Sequence, residues 1–286
     1  MDLPALALAF GTAWTPVAVT APKGVPAGPA PAAAAAGAVF DSAGASRTWA
    51  EAVAAMASAR IVAVGETHDD ASHHKVQAEV LAALAARVPL TVGLEMVEAE
   101  AQPALDAFMS GATSEADFAV WWKSHWGFDY ALYKPVFDAA RAAGVPVRGL
   151  NAPRDVVKAV GKKGLAGLTP AERGRIPAVV LESADARYRK YVLDSVSGHG
   201  APPAAIPRML EAMAVWNETM GENAAKIAAE GRVVLVIAGQ GHVLYKAGIL
   251  ESAARRGAGP AQVLLPWPAA PAAEELPLAD WFKVAF

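Results

Sequence analysis

Residues 232–242 read Arg-Val-Val-Leu-Val-Ile-Ala-Gly-Gln-Gly-His. Val233 to Ile237 form an apolar run with no alternating polar face, which fits a strand buried on both sides in a helix-covered parallel sheet. Comparable runs occur at 60–66 (RIVAVGE), 90–96 (LTVGLEM) and 145–151 (VPVRGLN), with a shorter one at 262–265. Helical patterns lie between them. Residues 70–87 place Val76, Val80, Leu81 and Leu84 at helical spacing. Residues 102–109, 115–122 and 133–143 read as further helices, and 204–229 as a long one, entered at Pro207 and interrupted near Gly221. Strands alternating with helices predict an α/β fold: a mostly parallel sheet with helices on both faces, plus a helical insertion.

Residues 1–36 stand apart. Met1 to Thr20 is apolar, and Ala21 to Ala36 is rich in Pro, Ala and Gly. This segment reads as signal-like or as a disordered tail, and 37–286 as a single α/β domain. Pro4 and Pro16 break the apolar stretch, so no integral membrane segment is expected. With a signal, the chain is periplasmic or secreted; without one, it is cytoplasmic. The net charge is −3, from 25 Lys plus Arg against 28 Asp plus Glu, which argues against a nucleic-acid partner. There is no cysteine, which excludes disulfides, thiolate metal sites and a Cys nucleophile. Any metal must be held by His, Asp, Glu, Tyr, Met or main chain.

Polar residues gather where the strands end. The first ends in Gly65-Glu66-Thr67-His68, the second carries Glu95, the third ends at Asn151 with Arg154 beyond it, and the fourth leads to His242. Ligands of open α/β sheets bind outside the carboxyl ends of the strands. Glu66 and His68 are two apart, so on extended chain they face one side. With Glu95 and His242 they compose a two-Glu, two-His set able to hold a divalent metal or to act as acid and base. His74 and Gln77 share one face of the following helix. Residues 121–133 (WWKSHWGFDYALY) hold three Trp, one Phe, two Tyr and His125. They suit an aromatic core or a wall for a flat ligand, with His125, Tyr130 and Tyr133 as candidate iron ligands. His199 sits between glycines in a loop-like stretch and is a further, weaker candidate.

In this order, G-E-T-H-D-D with H-H and Gln77, G-L-E-M with Gln102, Tyr133-Lys134-Pro135, L-N-A-P-R at 150–154, Asn217-Glu218-Thr219-Met220 and A-G-Q-G-H at 238–242 resemble the ChaN-type haem-binding uptake proteins of the Tiki superfamily. The resemblance spans about residues 39–260. It implies an α/β fold and haem binding linked to iron uptake, often in an exported lipoprotein. With no Cys, this sequence offers no lipid-modified Cys. The wider superfamily includes Tiki-type metalloproteases and erythromycin-esterase-like hydrolases. Their G-x-x-H element and following Glu correspond to Gly65–His68 and Glu95.

Two functions follow as expectations. In a haem binder, His74, Gln77, His125, Tyr130, Tyr133, Asn151, Arg154 and His199 are the cofactor-binding candidates, with Arg154 on a propionate. In a divalent-metal-dependent hydrolase, Glu66, His68, Glu95 and His242 are both metal ligands and catalytic groups. The expected partner is haem or another small molecule, with a homodimer compatible with a flat ligand shared between two sites.

Overall fold

The computed structural model describes residues 34–198 and 202–285. Most of the expected N-terminal tail, and His199, lie outside the described residues. The strands are β1 (Val39–Asp41), β2 (Ser46–Arg47), β3 (Ile61–Glu66), β4 (Leu90–Glu98), β5 (Val147–Asn151), β6 (Val233–Gly239), β7 (Ala261–Trp267) and β8 (Trp281–Val284). The α-helices are α1 (Trp49–Ala57), α2 (Ala71–Ala85), α3 (Gln102–Met109), α4 (Glu115–Trp126), α5 (Tyr130–Ala142), α6 (Arg154–Lys163), α7 (Pro170–Arg173), α8 (Ala186–Gly198), α9 (Ile206–Ala229) and α10 (Ile249–Arg255).

One sheet runs in the order β2-β1-β8-β7-β3-β6-β4-β5. The pairings from β8 through to β5 are parallel, and β1 adds antiparallel pairing at one edge. The mostly parallel α/β sheet expected from the apolar runs is therefore present. β6 lies between β3 and β4 because its apolar run is the one best suited to a two-sided interior. Val62, Val64, Leu235 and Ile237 face α1 to α5. Ile61, Ala63, Val234 and Val236 face α8, α9 and α10 on the other side. Alternate residues of one strand thus feed two cores, as the pleat requires.

Helix starts are set locally. Thr48 and Glu51 form a capping box at α1, the Asp70 carboxylate caps α2, and Ser114 and Asp129 cap α4 and α5. α4 stops at Gly127, whose φ of 98° lies in the left-handed region. α9 differs from expectation, because it passes through Gly221 without interruption. The glycine is there for closeness: a Cβ at 221 would lie 2.4 Å from Ser252 of α10. Among the described residues no helix is long and apolar enough to cross a membrane.

Gly221→Ala should force α9 and α10 apart and destabilise the fold by about 1–3 kcal/mol, the usual cost of overpacking. A urea denaturation midpoint equal to that of the parent chain would contradict this reading of the contact.

Candidate functional site

The pleat carries Glu66 to the α2/α5 face of the sheet, two residues beyond Val64. Its carboxylate has no solvent exposure. Tyr133 donates to Oε1 at 2.6 Å, and His68 Nδ1 lies 2.7 Å from the same oxygen. Gln77 Nε2 donates to Oε2 at 2.5 Å, with His74 Nδ1 at 3.3 Å. Because Gln77 must donate to Glu66, its Oε1 faces His74 Nδ1 at 3.0 Å as an acceptor. His74 Nε2 meets the His68 carbonyl at 3.2 Å. Both His74 nitrogens therefore face acceptors, which fits a buried imidazolium. Burial works against that charge, but Glu66 outweighs it and raises the His74 pKa. Burial would likewise raise the Glu66 carboxyl, yet His74 and His68 hold it far below the usual carboxylate range.

Glu95 lies on the opposite face of the sheet. Its Oε2 accepts the Gly239 N–H at 2.6 Å, and its Oε1 is 3.3 Å from His242 Nε2. His242 Nδ1 bonds Asn217 Oδ1 at 2.8 Å, Asn217 Nδ2 donates to Tyr188 OH at 2.9 Å, and Tyr188 donates to the Gly241 carbonyl at 2.8 Å. Burial pushes the Glu95 carboxyl up, but His242 more than offsets this, and its pKa falls.

The two halves meet over Gly239, which pairs with Glu66 in the sheet. A Cβ there would lie 2.9 Å from His68 Cε1 and 3.0 Å from His68 Nε2. His68 packs edge-on against Trp126 and beside Phe128. Burial disfavours its imidazolium, but Glu66 and Glu95 together raise its pKa. With Nδ1 committed to Glu66, His68 has Nε2 left for other chemistry. A cavity of about 20 Å³ is lined by His68, His242, Tyr191 and Gly239. That is room for about one water molecule.

The remaining expected residues separate. Tyr130 is buried in the aromatic core with Phe108, Phe118, Trp122 and Phe137, and its hydroxyl has no hydrogen-bond partner. Burial raises its pKa to about 12. Asn151 donates to the Glu95 carbonyl at 2.7 Å, clamping β5 to β4 where their register shifts. His125 stacks on Trp121 at 4.5 Å between ring centres. Its Nε2 lies 3.4 Å from Glu98 Oε2 but makes no hydrogen bond. Burial, helped by the Arg154 charge, depresses its pKa to about 4, so it is neutral at neutral pH. Arg154 Nε is 3.4 Å from the other Glu98 oxygen. Tyr188 escaped the sequence reading, since nothing in its spacing ties it to a strand end, and Trp126 entered only within the aromatic segment 121–133. Asn217 entered only as part of a motif.

The two-Glu, two-His set does not converge on a common point. Both Glu66 oxygens are taken by protein donors, and Glu95 and His242 are bound to Gly239 and Asn217. Among the described residues, no group of three or more His, Asp or Glu side chains is placed to hold a metal ion. The donor set does not fit a resident divalent metal.

The buried pair predicts a stability maximum. The Glu66 contribution is present above its ordinary pKa of about 4.5 and is lost as pH falls toward the lowered folded value. The His74 contribution is present below about 6.5 and is lost as pH rises through the raised folded value. Glu66→Gln should cost about 3–5 kcal/mol, because it strands His74. It should also flatten the pH dependence on both sides. Urea midpoints measured from about pH 2 to 9 test this; a variant with the parent's pH profile would remove the pair as its source.

A family profile described as "Haem-binding uptake, Tiki superfamily, ChaN" matches residues 52–252. The structure of cofacial heme binding to ChaN of Campylobacter jejuni superposes with a TM-score of 0.66 at 18% identity, covering 86% of this chain and 95% of that one. The type III effector HopBA1 superposes with a TM-score of 0.52 at 16% identity, covering 81% of this chain and 90% of that one. At these identities the likeness is one of fold. No curated protein matches the sequence. With the profile covering well over half its length, the chain belongs to the ChaN haem-binding uptake family of the Tiki superfamily.

Proposed function

We propose that this chain binds haem at the aromatic rim of the sheet's carboxyl edge, in a role linked to iron uptake. The observation that carries this reading is His125. It is a neutral imidazole whose Nε2 is buried without a hydrogen bond and whose ring stacks on Trp121. A neutral imidazole offers iron a lone pair without first losing a proton. Trp121, Trp126 and Phe128 are half-buried and supply apolar surface for a flat ring. Arg154 stands beside the same rim and suits a propionate, with Glu98 as its present partner. When bound, the group supplies iron as cargo, and the protein's part is to hold and orient it. An uptake role places the chain outside the cytoplasm, in keeping with the signal-like start of the sequence.

Hemin added to the purified chain should bind stoichiometrically and shift the Soret band. His125→Ala should weaken binding at least about tenfold, the scale of one lost metal–ligand or charged contact. An unshifted Soret band, or equal affinity in the variant, would sink the assignment. Sedimentation of the loaded chain distinguishes a monomer from a homodimer sharing the ligand.

A second reading rests on a different observation: His68 and His242, each oriented through Nδ1, line one water-sized cavity beside Glu95. In a hydrolase, His68 would serve there as base, positioned by Glu66, without a metal. Ester hydrolysis that survives chelator and disappears in His68→Ala would support it; no turnover of p-nitrophenyl esters would count against it.

A further inference from the structure

On the far side of the sheet from the aromatic rim, α8, α9 and α10 enclose a pocket of about 350 Å³. That volume is within the range of small-molecule sites. Its walls are mostly apolar: Leu181, Val192 and Leu193 on one side, and Leu210 and Met213 on α9. Leu181 and Leu193 are 47% and 43% exposed. They are two of only four large hydrophobic residues so exposed among the described residues, and both stand at this pocket. Concentrating exposed apolar surface at the mouth of a concavity marks a place where something apolar is received.

Charge around the pocket is mixed: Glu182, Asp194, Glu218 and Glu251 line it together with Arg189, Lys190 and Arg255, and Glu182 makes no ion pair among the described residues. Lys190 is paired with Asp194, and Arg255 with Glu218 and Glu251. Arg189 is different. Its Nη1 donates to the Ser183 and Ala184 carbonyls at 2.7 Å each, and no carboxylate among the described residues is within ion-pair distance. A guanidinium held in place by main-chain carbonyls, with its other donors uncommitted, presents a fork for a carboxylate. The floor is polar and already saturated, since Tyr188 and Asn217 bond each other and His242.

We propose that this pocket binds a small amphiphilic carboxylic acid of medium chain length. The apolar tail lies against Leu193, Leu210 and Met213, and the carboxylate lies on Arg189. The site is separate from the proposed haem rim and does not depend on it. Through Asn217 and His242, the ligand sits one hydrogen-bonded relay away from Glu95.

Isothermal titration of the full chain with decanoate, and with decanol as the uncharged control, tests the proposal. Decanoate should bind at one saturable site. Arg189→Ala should weaken decanoate about two- to fivefold, the range for an exposed ion pair, and leave decanol unchanged. Leu193→Glu, a substitution at an exposed position that leaves the core intact, should weaken decanoate more than decanol. Absence of saturable decanoate binding would overturn the proposal, as would affinity unaffected by Leu193→Glu. Displacement of decanoate by stoichiometric hemin would also overturn it, by making this pocket the haem site. Hemin binding that leaves decanoate in place supports two separate sites, and a failed hemin titration leaves the decanoate result standing on its own.

Discussion

A carboxylate shut away from solvent must have its charge answered within hydrogen-bonding distance, and Glu66 makes that demand at the end of β3. Tyr133 answers from α5, Gln77 and His74 from α2, and His68 from the residues just past the strand. These contacts fix how α2 and α5 sit against each other and against the sheet. They also fix the His68 ring, and through it the approach to Gly239. The rim residues Trp126 and Phe128 pack on that ring, so the geometry of the aromatic rim is inherited from a carboxylate shut away from solvent.

The sheet separates the chemistry into two halves. On one face, Glu66 and His74 form a charged, fully buried pair within a set of donors. On the other, Glu95, His242, Asn217 and Tyr188 form a chain that runs toward the pocket between α8 and α9. His68 stands over Gly239, where a missing side chain lets the halves touch. Glu66 on β3 and Glu95 on β4 are separated only by β6, and two carboxylates that close would repel if they shared one face. Their placement on opposite faces, each with its own imidazole, lets both stay ionised without a metal between them.

Much of this was legible in the sequence, and the exceptions have physical causes. β3, β4 and β6 announce themselves because two-sided burial requires unbroken apolar runs. β1, β2 and β8 escaped because two to four residues carry no periodicity. α8 escaped because only Tyr188, Val192, Ser195 and Val196 are buried along a helix otherwise charged and polar. The sequence reading put Glu66, His68, Glu95 and His242 at strand ends; the structure has Glu66 ending β3, His68 and His242 just past β3 and β6, and Glu95 inside β4, and the pattern did not reveal that the glutamates face opposite ways. Tyr130 and Tyr133 are one helical turn apart and looked equivalent. The helix gives one to the aromatic core and the other to Glu66, a difference decided by what α2 and α3 place opposite them.

The buried His74 carries a proton that solvent cannot reach directly. Both ring nitrogens are capped by acceptors and the side chain has no exposure. Such a proton is acquired as the chain folds and leaves only when α2 and α5 part. Its exchange is therefore timed by an opening of the protein, not by diffusion of acid or base. The ionisation state of the centre is a kinetic property of the fold, preserved through brief excursions of external pH.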